Sequence, residues 1–598
     1  MSFLKKAIKK YFQSLAYFYS HLRYRVFIVL SLSIFVGVLD GFGLAMFIPL
    51  LKMVDGGSTA STEGLGNLSF LVDGLAHFNI PFNLYSVLIL ILMFFSLKGF
   101  FKFIEGYAAV VYRQFFIRKI RIDNSNALSK LRFVDFINTD GGRIQNTFSA
   151  EVGRVNYAFG AYLSAAQSAI MVGVYLGLAI MTNAQFALLI SIGGGLTNII
   201  FKRLYKITKK SSKEYTAYAH SFQGLLIQKV ANFKYLKATA LIFIYTEKLK
   251  HRIREMEVVQ RRMGVLDSAM LAIREPMIIM VVVLVIMVQV EYFSESLGSI
   301  ILSLLFFYRA LSFLMGMQKQ WNSFLTASGA LENMTSFMRE LKQGEEAYGV
   351  RKFKKFEQKI SLNNVNFTYG ENSVVNNVNL TINKNETIAF VGESGSGKTT
   401  LMNIVIGLLK PTEGSIEIDN IDYRKLDIRS LQKRMGYITQ EPVIFADTIF
   451  NNVTFWDEPT KENQKRFGES LKKAAIYDFI QEQPLQEQTL LGGNGINLSG
   501  GQKQRLSIAR ELYKEVDFLL MDEATSALDS ETERAIQKHI DELKGEYTII
   551  IIAHRLSTVK NADRIVLMKN GQIEAMGDFA TLNSKSYVFR EMVEYQKF

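Results

Sequence analysis

Six long apolar segments constrain the fold of this 598-residue chain more than any other feature. The core of a bilayer offers no water to backbone groups, so a segment that crosses it must be a helix or part of a closed barrel. Each segment approaches or exceeds the roughly 20 residues that a helix needs to cross. We therefore predict six transmembrane helices, at 26–50, 84–111, 155–181, 185–201, 264–290 and 297–317.

The distribution of lysine and arginine assigns these segments to the two sides of the membrane. Segments 113–154 and 202–262 are rich in both residues, whereas 51–83 has only Lys52 and the turn at 182–184 has no charge. An excess of basic residues marks cytosolic loops. We therefore expect both termini and the two long basic loops in the cytosol, with the first apolar segment kept as an anchor rather than cleaved as a signal peptide.

Composition narrows the class of protein. Apolar residues make up 49% of the chain, and the formal net charge is +14. Because much of this positive charge lies in the cytosolic loops, it reflects membrane topology, and we expect no nucleic-acid partner. The chain contains no cysteine, which excludes disulfides and thiolate metal sites.

The second half of the chain is a different kind of sequence. It turns polar near Glu332, so we predict a membrane domain over 1–330, a linker over 331–355 and a second domain over 356–598. An apolar run at 387–391 reads as a buried strand and is followed by a glycine-rich segment that fits the phosphate-binding pattern Gly-x4-Gly-Lys-Thr. Its backbone N–H groups would cradle phosphates, Lys398 would reach the β- and γ-phosphates, and Thr399 would hold Mg²⁺. The predicted ATP-binding residues of this segment are Gly392, Glu393, Ser394, Gly395, Ser396, Gly397, Lys398, Thr399 and Thr400.

Further motifs follow in an order that chance would not produce. Four apolar residues, 518–521, lead to Asp522 and Glu523, which predicts a strand that delivers one carboxylate to Mg²⁺ and the other to an attacking water. A second apolar strand, 548–553, ends at His554. The remaining candidates are Tyr369, which could stack on adenine, Gln440, the run Leu498-Ser499-Gly500-Gly501-Gln502, and Asp529.

With these motifs the chain resembles the half-transporter exporters of the ATP-binding cassette (ABC) transporters over nearly its whole length. The resemblance implies a membrane α-helical domain of six transmembrane helices fused to an α/β P-loop nucleotide-binding domain. It also implies a homodimer that sandwiches two ATP molecules with Mg²⁺, each bound by the phosphate loop of one subunit and by Ser499, Gly500, Gly501 and Gln502 of the other. DNA-repair ATPases with a similar signature lack six spans.

The resemblance also implies a role for each remaining motif residue. Glu523 is expected to be the catalytic base, His554 to contact the γ-phosphate, and Gln440 to link Mg²⁺ to the membrane spans. Asp529 is expected at the subunit junction. The expected metal ligands are Thr399, Gln440 and Asp522.

One segment departs from the family pattern. Exporters usually carry a glutamate upstream of the signature, where this chain reads Gly492-Gly493-Asn494-Gly495. The missing carboxylate puts in doubt a polar contact with the cytosolic loop helices, which we expect near 139–148 and 226–238, but not ATP binding.

Charged residues within the spans are the best local clue to what is transported, because each is costly in hydrocarbon. Lys98, Arg274 and Arg309 lie on three different spans, all about 18–24 Å below the outer hydrocarbon edge. They could bind a phosphate or pyrophosphate headgroup. Equally, Lys98 could pair with Glu105, Arg274 could have a structural partner, and long cations near the inner interface could snorkel.

Residues 39–44 and 48–51 of the first span are similar to the first span of lipid A and lipid-linked oligosaccharide flippases. We therefore expect a homodimeric, ATP-driven translocase in the bacterial inner membrane that exports or flips a lipid-linked or phospho-lipid substrate. A multidrug or hydrophobic-peptide exporter is the main alternative, and the fold alone does not separate the two. An ATP-gated channel or regulatory protein is less compatible with a complete set of catalytic motifs.

Overall fold

The computed structural model describes residues 15–54, 81, 83–182, 184–293, 297–523, 537–539, 541–553, 555 and 559–595. Its contacts divide the chain into two compact units. The first comprises Met1–Leu131 and Asp135–Glu345, and the second Arg132–Val134 and Glu346–Phe598. The predicted domain limits at 330 and 356 remain predictions.

The first unit is built from long helices, because its apolar segments continue without a break into more polar helical segments beyond the predicted spans. The second predicted span, for example, lies in a helix of 45 residues, of which only the first 28 are predominantly apolar. Residues 15–22 are also helical. The helices up to Gln343 are α1 (Arg25–Ala45), α2 (Phe47–Val54), α3 (Leu84–Leu128), α4 (Phe133–Ile137), α5 (Gly141–Asn146), α6 (Val152–Thr182), α7 (Ala184–Ala231), α8 (Phe233–Ala238), α9 (Ile242–Phe293) and α10 (Leu297–Gln343), with a π-helical turn at Thr147–Glu151 between α5 and α6. All belong to the first unit except the first two residues of α4, which are assigned to the second.

Each of the six predicted spans lies within one of these helices or, for the first, within α1 and α2 together. Among the described residues, four stretches are long and apolar enough to cross a membrane: Arg25–Ala45, Leu84–Leu128, Gly141–Met181 and Ile242–Val288. Helix α6 ends at Thr182 and α7 begins at Ala184, and Asn183, at the centre of the expected turn, lies outside the described residues. Short helices occur in both expected loop regions, as α5 in the first and α8 in the second, although α4 precedes the first expected range.

Glycines allow several of these helices to touch backbone to backbone. A Cβ added at Gly329 on α10 would lie 2.5 Å from the carbonyl oxygen of Ser212 on α7. The Ser212 hydroxyl fills the junction, since it donates to the carbonyl of Thr326 at 2.7 Å and accepts from the amide of Gly329 at 3.0 Å. Small residues of this kind are common where membrane-protein helices approach closely.

The second unit is an α/β fold around a six-stranded sheet in the order β12-β11-β4-β10-β9-β8. All neighbours in it are parallel except β11 and β12. An antiparallel sheet, β3-β2-β5-β6, and a short parallel pair, β1-β7, complete the strands. The strands are β1 (Arg351–Lys352), β2 (Lys359–Tyr369), β3 (Asn372–Asn383), β4 (Thr387–Val391), β5 (Glu413–Ile418), β6 (Ile421–Asp422), β7 (Leu426–Asp427), β8 (Met435–Ile438), β9 (Phe518–Asp522), β10 (Thr548–Ile552), β11 (Arg564–Lys569) and β12 (Gln572–Gly577).

Helices complete this unit on both sides of the six-stranded sheet. Side chains of β4 alternate between two apolar cores, with Ala389 and Val391 in one and Ile388 and Phe390 in the other. Burial on both faces explains why the central strands read as continuous apolar runs. The described helices are α11 (Lys398–Val405), α12 (Ile428–Gln432), α13 (Ile449–Thr454), α14 (Lys461–Lys473), α15 (Tyr477–Gln481), α16 (Gly500–Tyr513), α17 (Phe579–Lys585) and α18 (Tyr587–Tyr595).

The register of the parallel strands brings the predicted motifs to one edge of the sheet. Phe390 pairs with Ile552, Ile552 with Asp522, and Met521 with Ile438. The loops that follow β4, β8, β9 and β10 therefore leave the sheet side by side. Open parallel sheets bind ligands at this carboxyl edge.

We expect Gly329→Ala to destabilise the first unit by about 1–3 kcal/mol, because the added methyl group meets backbone atoms that cannot move aside. Thermal unfolding of the purified full-length chain in detergent measures the effect. Gly153→Ala is the matched control, because its Cβ would meet nothing within 4 Å and alanine favours a helix. Equal melting temperatures for the two variants would contradict the close contact between α7 and α10.

Candidate nucleotide site

The segment between β4 and α11 has the backbone of a phosphate-binding loop. Gly392, Gly395 and Gly397 adopt φ angles of 145°, 82° and 97°, which side chains other than glycine rarely tolerate. A Cβ at Gly392 would lie 2.2 Å from the carbonyl oxygen of Met568, and one at Gly397 2.7 Å from that of Val374. The loop therefore needs glycine for both conformation and space, and it ends at the N-terminus of α11, where free N–H groups attract anions.

Lys398 is held inside this loop. Its side chain curls back so that Nζ donates to the carbonyl oxygens of Gly392 and Glu393, both at 2.9 Å. Burial lowers the pKa of the ammonium group, while Glu523 and Asp522 oppose that shift. The cation is thus positioned before any phosphate arrives, and phosphate oxygens would add to its partners.

Asp522 lies at the end of β9, which is the direct neighbour of β10 in the sheet. The hydroxyl of Tyr437, on β8, donates to Asp522 Oδ2 at 3.4 Å. Burial, with a smaller contribution from Asp522, raises the pKa of Tyr437 to about 12, so the hydroxyl stays protonated and remains a donor. This hydrogen bond from Tyr437 orients the Asp522 side chain at the carboxyl edge of the sheet.

The predicted ligand set suits Mg²⁺, because a threonine hydroxyl, an amide oxygen and a carboxylate are all hard oxygen donors. Within the described residues no group of three or more His, Asp or Glu side chains is placed to hold a metal ion. A Mg²⁺ ion bound by Thr399, Gln440 and Asp522 would take the rest of its shell from phosphate oxygens and water, as Mg²⁺ usually does.

Glu523 and Gln440 meet directly. Gln440 Nε2 donates to Glu523 Oε2 at 2.7 Å, and the amide of Glu523 donates to the carbonyl of Ile552 at 3.0 Å. Glu523 has a φ of 48°, unusual for a residue with a side chain, which turns the chain sharply at the end of β9. Glu523 is thereby held against Gln440, with Lys398 within electrostatic range.

The signature run caps α16. Ser499 and Gln502 form a reciprocal capping box, in which Ser499 Oγ accepts from the Gln502 amide at 3.3 Å and Gln502 Oε1 accepts from the Ser499 amide at 2.8 Å. Ser499 and Gly500 are exposed, while Gly501 and Gln502 are half-buried. The N-terminus of a 14-residue helix is thus presented to solvent.

The other predicted nucleotide residues are placed as follows. Tyr369 ends β2 with 37% of its surface exposed and its ring edge-on to Phe367. Thr399 is exposed and Thr400 half-buried in the first turn of α11. His554 and Asp529 lie outside the described residues.

The segment that departs from the family pattern is a tight turn, Gly493–Gly495. A Cβ at Gly493 would meet nothing within 4 Å, so crowding does not account for the missing carboxylate. Nearby, the side chain of Ile496 is 79% exposed. An exposed apolar residue therefore lies three positions after Gly493, the position at which the family pattern has the carboxylate.

The three cations predicted to bind substrate do not form one ring. Lys98 Nζ lies 2.6 Å from Asp40 Oδ1, and the Tyr175 hydroxyl donates to the other oxygen of the same carboxylate. Arg309 is half-buried and lies within electrostatic range of Tyr175. Lys98 and Arg309 thus share one neighbourhood on α1, α3, α6 and α10.

Arg274 lies in a different setting. It is 3% exposed, and its guanidinium sits over the Phe201 ring at 5.5 Å, with Tyr205 and Asp267 within electrostatic range. No contact among the described residues joins it to Lys98 or Arg309. The pairing of Lys98 with Glu105 that the sequence allowed is not formed, because Lys102 Nζ binds Glu105 Oε2 at 2.7 Å.

Two functional neighbours were missed from the sequence. Asp40 is a lone carboxylate inside an apolar span, which is itself a signal, but its pairing with Lys98 spans 58 positions in sequence. Tyr437 gave no signal, since a tyrosine on a strand next to the sheet core is usually structural.

Comparison with known proteins identifies the second unit. The family model described as ABC transporter matches residues 375–526. This chain carries an ABC transporter domain. The resemblance to ABC exporters found in the sequence is confirmed at the level of this domain and of the fold.

Several relatives of the ABC transporter domain are named "ATP-dependent lipid A-core flippase". The protein of that name from Francisella tularensis subsp. tularensis (strain FSC 198) is 37% identical over 250 residues, which cover 42% of this chain and 41% of the relative. The chain thus matches only about two fifths of that relative. The protein of that name from Cupriavidus metallidurans is 27% identical over 506 residues, covering 82% of this chain and 84% of the relative.

A solved structure shares the fold over nearly the whole chain. It is described as a bacterial Atm1-family ABC exporter with ATP bound, and it matches with a TM-score of 0.77 and 21% identity, covering 97% of this chain and 99% of that one. The predicted combination of a helical membrane domain and an α/β nucleotide-binding domain is confirmed.

We expect Glu523→Gln to preserve ATP binding and to lower the rate of hydrolysis by about 10²–10⁴-fold, because the amide keeps the contact with Gln440 but cannot accept a proton. Nucleotide binding and phosphate release by the purified chain measure the two effects separately. Glu462→Gln, an exposed carboxylate at the start of α14, is the control and should hydrolyse ATP at the parent rate. Hydrolysis by Glu523→Gln at the parent rate would remove Glu523 as the base.

Proposed function

We propose that this chain is a homodimeric, ATP-driven translocase of the bacterial inner membrane that flips a phosphate-bearing lipid or lipid-linked substrate. The observation that carries the proposal is the combination of an assembled phosphate loop, with Gln440 and Glu523 in contact, and three half-buried or buried cations on the predicted membrane helices. A drug exporter needs no cation at that depth, whereas an anionic headgroup does. The names of the relatives point to the same substrate class.

In the proposed cycle ATP binds to the glycine loop, where Lys398 neutralises phosphate charge. Mg²⁺, when bound by Thr399, Gln440 and Asp522, would neutralise more of that charge. Gln440 orients Glu523 through their 2.7 Å hydrogen bond, and Glu523 takes a proton from the attacking water. Contacts with the γ-phosphate are assigned by resemblance to His554, and the subunit junction to Asp529.

The exposed N-terminus of α16 supports the proposed dimer. Each side chain of Ser499 and Gln502 accepts a hydrogen bond from the backbone amide of the other residue, and Ser499 is exposed, so its hydroxyl can reach a second copy. Positive potential at this helix end would favour the γ-phosphate bound by the partner.

We expect Ser499→Arg to stop ATP turnover while leaving the affinity of the purified chain for ATP within about twofold, since a bulky cation would prevent closure on the partner's nucleotide. Equilibrium binding and steady-state hydrolysis test this. Ser584→Arg, on exposed α17, is the control and should leave both unchanged. A large loss of ATP affinity in Ser499→Arg would argue that Ser499 serves its own subunit's site.

The substrate prediction is tested on the three cations together. We expect the triple variant Lys98→Gln, Arg274→Gln and Arg309→Gln to lose ATP-dependent flipping of a fluorescent phosphatidic acid in proteoliposomes while keeping basal ATP hydrolysis. The variant removes the cationic side chains that would bind the headgroup, and it changes no residue of the nucleotide site. The rate at which the fluorophore becomes protected from an added quencher measures flipping.

The matched control neutralises three exposed cations of the same unit outside the predicted spans, Arg121, Lys210 and Lys250. Flipping at the parent rate by the buried triple variant would contradict the substrate assignment. Parent chain that moves a hydrophobic peptide but no lipid would instead favour the peptide exporter.

A further inference from the structure

The cluster around Asp40 has a property that a simple cation site would not have. The Lys98 ammonium, which a substrate anion would need, already holds a carboxylate at 2.6 Å. Asp40 is 2% exposed, whereas 28% of the Lys98 side chain is exposed. The carboxylate is therefore buried behind the lysine, and the lysine is the member of the pair that a ligand can reach.

Close helix packing fixes Asp40 in this position. A Cβ at Gly37 would lie 2.9 Å from Met171 Sδ on α6, and a Cβ at Gly41 would lie 2.1 Å from Leu178 Cδ1 on the same helix. These two glycines flank Asp40 on α1 and bring it against α6. The short side chain of Asp40 then reaches both Tyr175 on α6 and Lys98 on α3.

We propose that Asp40 is an internal counterion that competes with an anionic substrate headgroup for Lys98, and so sets the affinity and charge selectivity of the translocation site. The inference rests on the proposed function and adds a specificity-determining residue to it. In the substrate-free state Asp40 neutralises Lys98. A phosphate headgroup takes the place of the carboxylate on Lys98, and release of the headgroup lets the ion pair re-form.

Tyr175 makes this exchange feasible. A carboxylate displaced from Lys98 in a low-dielectric region needs another donor, because an unpaired buried charge is costly. The Tyr175 hydroxyl already donates to the second oxygen of Asp40, and Arg309 lies within electrostatic range of Tyr175. Asp40 neutralises Lys98, so the positive charge of Arg309 near Tyr175 stays available for a phosphate group.

A second buried carboxylate within the predicted spans, Glu105, does not have this arrangement. Glu105 is 1% exposed and accepts hydrogen bonds from Lys102, Ser33 and Gln167, so three donors hold it. Its removal changes the formal charge of the unit as much as removal of Asp40 does. Glu105→Gln is therefore a matched control for a general electrostatic effect.

The test is a double-mutant cycle on the full-length chain in detergent, with dioctanoyl phosphatidic acid as the probe and dioctanoylglycerol as its uncharged reference. Isothermal titration measures the affinity. We expect Asp40→Asn to bind the phosphatidic acid about tenfold more tightly than the parent, a coupling of about 1.4 kcal/mol. The gain should vanish when Lys98→Gln is also present, and Glu105→Gln should bind like the parent.

Tyr175→Phe separates competition from a purely structural role. Competition predicts tighter binding of the phosphatidic acid in Asp40→Asn and weaker binding in Tyr175→Phe, although the two residues are neighbours. Without Tyr175 the displaced carboxylate has lost its donor, so we expect weaker binding of the phosphatidic acid. This variant also decides the question if Asp40→Asn does not fold. If Asp40→Asn gains affinity for inorganic phosphate by a factor similar to its gain for the lipid, that result would support competition at the headgroup itself.

Several results would overturn the inference. They are unchanged affinity in Asp40→Asn, a gain that persists without Lys98, an equal gain in Glu105→Gln, and unchanged or tighter binding in Tyr175→Phe. If the parent binds the anionic lipid and these results are found, the counterion role fails while the proposed function stands. If no variant binds the anionic lipid, both fail together.

Discussion

The parallel pairing of β4 with β10, and of β10 with β9 and β9 with β8, is the constraint on which the nucleotide site depends. It brings the ends of four strands level, so that Gln440 and Glu523, which are 83 positions apart in sequence, meet at hydrogen-bond distance. Burial of both faces of the sheet fixes this register, because a shift by one residue would exchange the side chains of the two cores. The sheet therefore brings Gln440 and Glu523 together, whereas carbonyls of its own loop hold Lys398.

Charged groups in the two units share one arrangement. In the second unit, Lys398 is held by loop carbonyls and Glu523 by Gln440 before any nucleotide is bound. In the first, Lys98 is held by Asp40. Each charged group is thus stabilised by an internal partner in the ligand-free chain, which limits the cost of burying it. Ligand binding then replaces or extends an existing contact instead of ordering a free side chain.

The sequence predicted most of the nucleotide-binding unit, because its signals are local. The apolar runs at 387–391, 518–521 and 548–552 became β4, β9 and β10, and the glycines between 392 and 397 have the backbone that the motif requires. The six apolar segments likewise lie within long helices of the first unit.

What could not be predicted depends on contacts between distant positions. Depth along a helix placed Lys98, Arg274 and Arg309 at one level, but depth does not give the direction in which each side chain points around its helix. Lys98 faces Asp40, while Arg274 packs on Phe201. The partners of Lys98 follow from how closely α1 approaches α3 and α6, which depends on glycines whose packing role has no local sequence signature.

The most direct test of the account is an electron cryo-microscopy structure of the full-length chain with Mg²⁺ and a non-hydrolysable ATP analogue. The account predicts two copies with two nucleotides, each with its γ-phosphate on Lys398, its Mg²⁺ beside Asp522 and Gln440, and Ser499 of the other copy on the same γ-phosphate. A nucleotide contacted by a single copy, or one bound away from the 392–399 loop, would contradict it.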